Sequence, residues 1–224
     1  MDWSALFLSL KLSTATMLLL LPCGLWAGRA LAWRRFRGKA LLEALLALPL
    51  VLPPTVLGFY LLLAMGGNSP LGQWYRSLFG HTLAFSFDGL LLASMIFNLP
   101  FAILPMQRAF ESITPEIRGA AMCCGMSRWR QFVRIEFPLA WPGIVSALVL
   151  IFAHTLGEFG VVLMVGGSIP GETRTIAISI YDRVQSFETT AAGVMSAVLL
   201  AISLTAISLS YALGRRLESR HTRV

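Results

Sequence analysis

The fold of this chain is indicated by residues 89–107, GLLLASMIFNLPFAILPMQ, a run of 19 residues without a charged side chain. A helix of roughly 17–25 apolar residues crosses the hydrocarbon core of a bilayer, so this stretch has the length of one membrane span. The whole chain agrees, because 56% of its 224 residues are hydrophobic and only 13% are charged. This composition excludes a soluble globular domain, in which about 25% of residues are charged, and it excludes a disordered chain.

Four further charge-free runs have comparable length, at residues 12–28, 44–75, 137–157 and 189–214. They predict an all-α polytopic membrane protein, with about five transmembrane helices in one transmembrane domain that covers residues 1–224. After the second run, the cluster Gly66-Gly67-Asn68-Ser69-Pro70 predicts an aqueous loop to about Ser86 in place of a sixth span. The predicted spans are roughly 9–31, 43–65, 87–107, 138–165 and 188–213.

Basic residues are concentrated on one side of these spans. Of the 18 Lys and Arg, 14 lie in the first loop, the third loop and the C-terminal tail. Loops rich in Lys and Arg remain cytoplasmic, so the N-terminus is predicted outside and the C-terminus in the cytoplasm. The net charge of +7 then reflects topology and attraction to membrane lipid, and no nucleic-acid partner is expected.

Residues 109–137, which we call the elbow, are too polar for the membrane and too regular for a linker. Thr114 is a predicted N-cap, with Pro115 and Glu116 in the first turn of a short helix. A second short helix is predicted from Arg128 to Glu136, ending before Pro138. The elbow either fits a groove on a partner protein or packs on the bundle itself as a re-entrant turn. Small side chains that allow close approach lie between the two helices: Gly119, Ala120, Ala121, Cys123, Cys124 and Gly125.

The sequence contains no recognisable site for catalysis, ATP or a metal ion. It lacks the G-x-x-x-x-G-K-S/T phosphate-binding loop, so any ATP-driven step needs another subunit. Its three histidines, His81, His154 and His221, lie far apart. We therefore expect no catalytic residue, no metal and no cofactor in this chain.

Two polar residues inside predicted spans are candidates for a pathway or gate. Glu158 lies in an apolar stretch, where a carboxylate is costly unless it meets water or a partner. The alternative places it at the outer boundary of the membrane, where it is simply hydrated. Asn98 lies near Pro100 and Pro105, which interrupt helical hydrogen bonding. These prolines indicate a kinked helix beside a cavity; the alternative is that they are prolines of the kind that is common in membrane helices.

The segment GAAMCCG, residues 119–125, followed after nine residues by Ile135-Glu136-Phe137-Pro138, resembles the EAA signature of ABC-importer permeases. The resemblance implies the type I importer fold, in which this element forms coupling helices that sit in a cleft of the cytoplasmic ATPase. Gly119 replaces the Glu of the signature and Phe137 replaces a Leu, and Glu116 is the candidate for the missing charge. The implied coupling residues are Glu116, Gly119, Ala120, Ala121, Gly125, Ile135 and Pro138.

Segments 8–13, 48–54, 156–160 and 169–176 are similar to molybdate permeases, and several are shared with the sulfate branch. This resemblance implies a bacterial inner-membrane homodimer with two ATP-binding subunits and an external oxyanion-binding protein, working by alternating access. Sulfate, thiosulfate or tungstate transport is the alternative, an ion-coupled carrier is less favoured, and a membrane-embedded enzyme is remote. Where the family commonly has an Arg before Leu-Gly-Glu-Phe-Gly, this chain has His154-Thr155, which makes His154 a further pathway candidate.

The segment from Pro170 to Arg174 is predicted to lie outside, where it would receive the binding protein. Pro170 and Gly171 fit the central positions of a type II turn, in which glycine takes the positive φ. Glu172 and Arg174 would then point to water and contribute to docking. A local ion pair between them is the alternative.

Overall fold

The computed structural model describes residues 1–221, with side chains described as far as Leu209 and at Ala212. Within this part the chain is helical and contains no strand, which confirms the predicted all-α class. The helices are α1 Trp3–Trp33, α2 Lys39–Val51, α3 Pro54–Met65, α4 Pro70–Phe79, α5 Phe87–Glu111, α6 Pro115–Cys123, α7 Arg128–Gln131, α8 Phe137–Gly157, α9 Gly160–Gly166, α10 Ile176–Gln185 and α11 Thr189–His221, with a π-helical turn at Phe132–Glu136 before α8.

Four of the described helical segments are long and apolar enough to cross a membrane: Trp3–Trp33, Phe87–Glu111, Arg128–Gly157 and Thr189–Leu209. The predicted span 43–65 is not one helix, since α2 and α3 meet at 107°. Pro53 and Pro54 explain the break, because neither supplies a backbone N–H and each restricts the residue before it. Counting this bent pair as one span makes five.

Two other predicted boundaries differ from the structure. The span 138–165 is interrupted after Gly157, where Glu158 is extended (ψ 132°), and continues as the short helix α9. The predicted aqueous loop before Ser86 contains α4, whose side chains Leu71, Trp74 and Phe79 are exposed while Tyr75 is buried. An amphipathic helix of this kind lies along a surface and does not cross the membrane.

The centre of the bundle is formed by α1, α5 and α8. Helices α1 and α5 run in the same direction, because Leu12 packs near Leu90 and Gly24 packs against Ala102. A Cβ added at Gly24 would lie 3.0 Å from the Ala102 carbonyl oxygen, so only glycine permits this approach. Small residues at helix crossings are the usual means of close packing between membrane helices.

The bundle has two chemically different ends. At one end, the Asp2 side chain accepts a hydrogen bond from Ser179, and Ser9 accepts one from the backbone N–H of Ile176. At the other end, which we call the elbow end, the basic first loop meets the elbow. The basic tail residues Arg215, Arg216, Arg220 and Arg223 lie outside the residues whose side chains are described.

Candidate coupling and pathway sites

Helix α6 forms the first half of the elbow and presents small or exposed side chains. Glu116 and Ala120 are exposed, whereas Ala121 is buried against the rest of the chain. An added Cβ at Gly119 would meet no atom within 4 Å. The outer face of α6 is therefore open to another surface, within the part of the chain that is described.

Gly125 ends α6 through its backbone conformation. Its φ of +71° is left-handed, and its N–H donates to the Met122 carbonyl at 3.0 Å. The next N–H, of Met126, donates to the Ala121 carbonyl at 3.2 Å. These two bonds form a Schellman motif, which satisfies the last carbonyls of the helix and requires glycine sterically. Gly125 is thus a structural requirement of the elbow as well as a small residue on its surface.

The second half of the elbow does not end before Pro138, and that prediction is wrong. Helix α7, the π turn and α8 form one continuous helix from Arg128 to Gly157. The N–H of Phe137 reaches the Phe132 carbonyl, five residues back. A π turn of this kind lets the helical hydrogen-bond pattern continue past Pro138, which has no N–H to donate. Ile135 is half-buried in this turn, and Pro138 is exposed one turn further along.

The elbow is joined to the membrane helices by a buried ion cluster, which we call the Glu136 cluster: Glu136, Arg29, Arg118 and Trp33. Glu136 is fully buried and receives hydrogen bonds from Arg29 Nε at 2.6 Å and Arg29 Nη2 at 3.2 Å. Arg118 Nε lies 3.6 Å from Glu136 Oε1, which is an ionic contact but too long for a hydrogen bond. The Arg118 guanidinium stacks 3.6 Å from the centre of the Trp33 ring.

This cluster connects three elements that are remote in sequence. Arg29 and Trp33 belong to α1, Arg118 to α6, and Glu136 to the π turn that leads into α8. Removing one partner of a buried ion pair leaves an uncompensated charge, at a cost of about 3–5 kcal/mol. The cluster therefore fixes α6 to α1 and to the start of α8.

A second polar group lines a cavity at the elbow end. The Gln107 side-chain amide donates to Glu43 Oε1 at 2.7 Å and to Glu111 Oε1 at 2.9 Å. Lys39 Nζ lies 3.6 Å from Glu43 and 3.9 Å from Glu111. With Leu104 and Arg108, these side chains line a cavity of about 480 Å³. The start of α2 is thereby fastened to α5 at the elbow end.

Inside the bundle, the structure brings together two of the three pathway candidates. Asn98 is fully buried; its amide donates to the Ser94 carbonyl at 2.8 Å and to Thr155 Oγ1 at 3.1 Å. His154 Nδ1 lies 3.1 Å from Asn98 Oδ1, so this nitrogen carries the proton of the bond. The His154 ring also lies against Phe97 and Phe101, at 4.7 and 4.3 Å between ring centres. Asn98, His154 and Thr155, which we call the Asn98 cluster, therefore tie α5 to α8.

Glu158 does not join the Asn98 cluster. It is 9% exposed, and its carboxylate accepts the Val161 N–H at 2.8 Å, so it caps the start of α9. The break it occupies lies against the break between α2 and α3, because a Cβ added at Gly160 would lie 2.8 Å from Pro54 Cβ. Two interrupted helices thus meet beside the Glu158 carboxylate. Their non-helical backbone fits the rule that such backbone occurs within a membrane only where it is buried in protein or faces water.

The loop at residues 167–175, between α9 and α10, is called the outer loop because it is predicted to lie outside. The Ile169 carbonyl in this loop accepts the N–H groups of Glu172, Thr173 and Arg174 at 2.9–3.2 Å. Gly171 has φ +78°, and Pro170, Gly171 and Glu172 are exposed. Arg174 pairs with Asp182 at 3.7 Å and donates from Nε to Ser168 Oγ at 2.9 Å. The alternative of a Glu172–Arg174 pair is therefore wrong, and Glu172 is left as an exposed charge.

The same end of the bundle carries a short contact between α4 and α5. Tyr75 Oη donates to Asp88 Oδ2 at 2.5 Å. Burial and the neighbouring Asp88 carboxylate raise the pKa of Tyr75 to about 12. The phenol is therefore neutral throughout the physiological range and holds α4 against the start of α5.

Sequence reasoning missed the roles of Arg29, Arg118 and Gln107. One signal was available, because Glu136 is the only acidic residue between Ile117 and Gly157, a stretch with four arginines. A lone carboxylate among arginines at a membrane boundary predicts an ion pair, although not which arginine forms it. Among the described residues, no group of three or more His, Cys, Asp or Glu side chains could hold a metal ion.

Long apolar helices, facing helix breaks and a charged elbow at one end define a multi-pass helical membrane protein of the transport-permease class. Residues 21–222 match the family described as "Binding-protein-dependent transport system inner membrane component", and the chain belongs to this family. It is thus a permease component of the inner membrane, as the EAA resemblance predicts.

Relatives within the family are similar over most of their length. The chain is 48% identical to the molybdenum transport system permease protein ModB of Azotobacter vinelandii, covering 84% of this chain and 83% of that one. It is 40% identical to ModB of Escherichia coli K12, covering 93% of this chain and 90% of that one. Similarity to the sulfate transport system permease protein CysT of E. coli K12 is weaker, at 33% identity over 79% of this chain and 65% of the other.

Solved structures support the fold. A bacterial alginate ABC transporter, in complex with an alginate pentasaccharide-bound periplasmic protein, superposes with a TM-score of 0.75 at 16% identity, covering 96% of this chain and 78% of that one. An amino acid ABC transporter superposes with a TM-score of 0.66 at 19% identity, covering 96% and 93%. At these identities the likeness concerns the fold alone, and it confirms the ABC-importer permease architecture.

Proposed function

We propose that the chain is the permease subunit of an ATP-driven importer that moves molybdate across the bacterial inner membrane by alternating access. The observation that carries the proposal is the 40–48% identity to ModB permeases over most of both chains, against 33% to a sulfate permease. The segment Pro170-Gly171-Glu172-Thr173-Arg174-Thr175 supports molybdate further through its resemblance to that branch.

Uptake competition tests the substrate. Cells without their own high-affinity molybdate uptake receive this permease with its ATPase and binding protein, and labelled molybdate accumulation is measured. Unlabelled molybdate should abolish accumulation, while excess sulfate should leave it unchanged. Equal competition by sulfate would assign the chain to the sulfate branch instead, and stronger competition by tungstate than by unlabelled molybdate would redefine the preferred oxyanion.

The elbow is the proposed docking element for the ATPase. Its open face carries Glu116, Gly119, Ala120 and Gly125, which allow a partner to approach closely. Ala121 is buried behind that face, Ile135 is half-buried in the π turn, and Pro138 is exposed just after the elbow, at the start of α8. Movement of an ATPase against α6 would reach α1 and α8 through the Glu136 cluster. The chain itself then needs no ATP site, and hydrolysis belongs to two cytoplasmic partner subunits.

The proposed pathway runs past the facing helix breaks in a homodimer. One copy has few membrane helices, so a two-fold axis between two copies is the natural place for a shared pathway. The Asn98 cluster lies on α5 and α8, with its amide, imidazole Nδ1 and hydroxyl donors bound to protein acceptors. The Glu158 carboxylate lies at the break before α9, where it would repel an oxyanion. Glu158 is therefore proposed as a gate residue and not as a ligand.

The outer loop is the proposed docking site of the external binding protein. Pro170, Gly171 and Glu172 are exposed on a rigid turn, and Arg174 is held beside them by Asp182. We propose with it that the N-terminus and the loop lie outside and that the elbow and the C-terminus lie in the cytoplasm, which is supported by the 14 of 18 basic residues on the elbow side. The mature complex would contain two copies of this chain, two ATPases and one binding protein.

A further inference from the structure

The elbow and α1 enclose a groove that shares Arg29 with the Glu136 cluster and is otherwise separate from the sites above. It has a volume of about 410 Å³ and is lined by Pro22, Leu25, Trp26, Arg29, Arg128, Trp129 and Phe132. Apolar and aromatic side chains form most of its walls, and two arginines are its charged members. We infer that this groove binds an anionic phospholipid, with the acyl chain against α1 and the phosphate at Arg128 and Arg29.

The depth of the groove argues for a lipid occupant. α1 ends at Trp33, and Pro22 lies seven residues before Arg29 on the same helix. Seven residues correspond to about 10 Å along the helix axis, so the Pro22 end lies within the hydrocarbon layer while Arg29 lies near its boundary. A soluble ATPase subunit has no access to that depth, whereas an acyl chain is already there.

Charge and side-chain type argue for an anionic headgroup. Arg128 forms no ion pair with any carboxylate whose side chain is described. Arg29 shares the single Glu136 carboxylate with Arg118, so the group retains net positive charge. Basic pockets at the cytoplasmic boundary of membrane helices attract anionic lipid headgroups. Trp26 and Trp129, exposed by 74% and 72%, carry the amphipathic rings that occur at this level of a bilayer.

Native mass spectrometry of the complete transporter tests the site. The complex is equilibrated with phosphatidylglycerol or phosphatidylcholine of matched acyl chains, and retained lipid is counted for the wild type, Arg128→Gln and Arg130→Gln. Arg130 is the matched control, since it is exposed on the same short helix but does not line the groove. We expect Arg128→Gln to lower phosphatidylglycerol retention at least about tenfold, as for a lost charged hydrogen bond. Arg130→Gln should lower it at most about fivefold, as for a general surface charge.

Equal losses in the two variants, or equal retention of both lipids by the wild type, would overturn the site. Inorganic phosphate is added in a separate arm, and displacement of the lipid by phosphate would show that the groove takes a free anion instead. Loss of an ATPase subunit or of the second permease copy from Arg128→Gln would assign the groove to a protein interface. None of these readouts depends on which oxyanion is transported.

A fluorescence measurement gives an independent arm. Lipids with brominated acyl chains quench tryptophans that they contact, and the double variant Trp26→Phe/Trp129→Phe removes both tryptophans that line the groove. Brominated phosphatidylglycerol should quench the wild type more strongly than brominated phosphatidylcholine, and the difference should disappear in the double variant. A difference that persists in the double variant would exclude the groove as the contact.

Discussion

The Glu136 cluster and the Asn98 cluster both join helices through buried polar side chains, yet they differ in charge. In the first, a fully buried carboxylate is held by Arg29 and Arg118. In the second, Asn98, His154 and Thr155 exchange hydrogen bonds between amide, imidazole and hydroxyl groups. The charged cluster lies at the elbow, and the cluster without a carboxylate or guanidinium lies between α5 and α8.

The difference indicates different mechanical tasks. A buried ion pair is costly to separate, because each charge would be left without its partner in a poorly solvated place. Hydrogen bonds among polar membrane residues are worth about 0.6 kcal/mol on average, so they can be exchanged during a conformational change. The elbow is thus suited to transmit a displacement, and the interior cluster is suited to rearrange.

Glu136→Ala should give the largest effect. It removes the two charged hydrogen bonds from Arg29 and leaves Arg29 and Arg118, both partly exposed, without their shared carboxylate. We expect the complex to lose about 2–3 kcal/mol of stability and nearly all uptake. Thermal unfolding of the purified complex and molybdate uptake measure the two effects. Glu116→Ala is the control for stability, since Glu116 is exposed and should change it by no more than about 0.5 kcal/mol. Comparable unfolding of both variants would show that the Glu136 cluster stabilises the complex no more than an exposed carboxylate does.

Asn98→Leu should have a smaller effect on stability and a clear effect on uptake. The variant leaves the His154 and Thr155 groups without their amide partner, at a cost of about 1–2 kcal/mol. Uptake and unfolding are measured beside Asn68→Leu, which alters an exposed loop residue. If Asn98→Leu destabilises the complex as much as Glu136→Ala, the Asn98 cluster has a structural role, and its hydrogen bonds are not exchanged during a conformational change.

Two alanine substitutions in the elbow distinguish a glycine required by its backbone conformation, Gly125, from a glycine that only keeps the helix surface small, Gly119. Gly125→Ala should destabilise by about 1 kcal/mol, because alanine resists the left-handed φ of +71°. Gly119→Ala should stabilise by about 0.5–1 kcal/mol, since it lies within α6 and its Cβ meets nothing within 4 Å. Unfolding reports both values, and co-purification with the ATPase reports docking. Lost docking in Gly119→Ala without lost stability would place the partner directly on that residue.

Glu172→Gln should have the smallest effect on stability, below about 0.5 kcal/mol, because the side chain is exposed and unpaired among described residues. Rim charges act mainly on association rate and salt dependence. We therefore expect slower activation of the reconstituted complex by loaded binding protein at low salt, with the difference vanishing at high salt. An identical activation rate at low salt would exclude Glu172 from the docking surface.

Sequence and structure agree where the signal is local. The charge-free run at residues 89–107 lies within α5, and Pro115 begins α6 directly after Thr114. Prolines show the limit of local reasoning, because Pro53 and Pro54 divide a helix at 107° while Pro138 is passed by a π turn. The missing N–H is the same in each case, but the outcome depends on whether neighbouring carbonyls find other donors.

The candidate site divides in the same way. The sequence identified Asn98 and His154 as polar residues inside spans, yet their contact joins positions 56 residues apart and required the packing of α5 against α8. It placed Glu136 within a coupling signature without its partner Arg29, which is 107 residues away. The alternative that paired Arg174 with Glu172 is wrong, because Asp182 approaches Arg174 only through the fold of the outer loop.

The sequence by itself determined that the chain spans a membrane, roughly where its helices run, and that a patterned elbow interrupts them. These properties are sums over neighbouring residues, since hydropathy, net charge and turn chemistry act over one or two helical turns. Only the tertiary structure decided which arginines neutralise Glu136, which helix breaks face each other and which side chains enclose the groove beside α1. Such contacts depend on the crossing of helices distant in sequence, where a shift of one residue along a helix turns a side chain about 100° away from its partner.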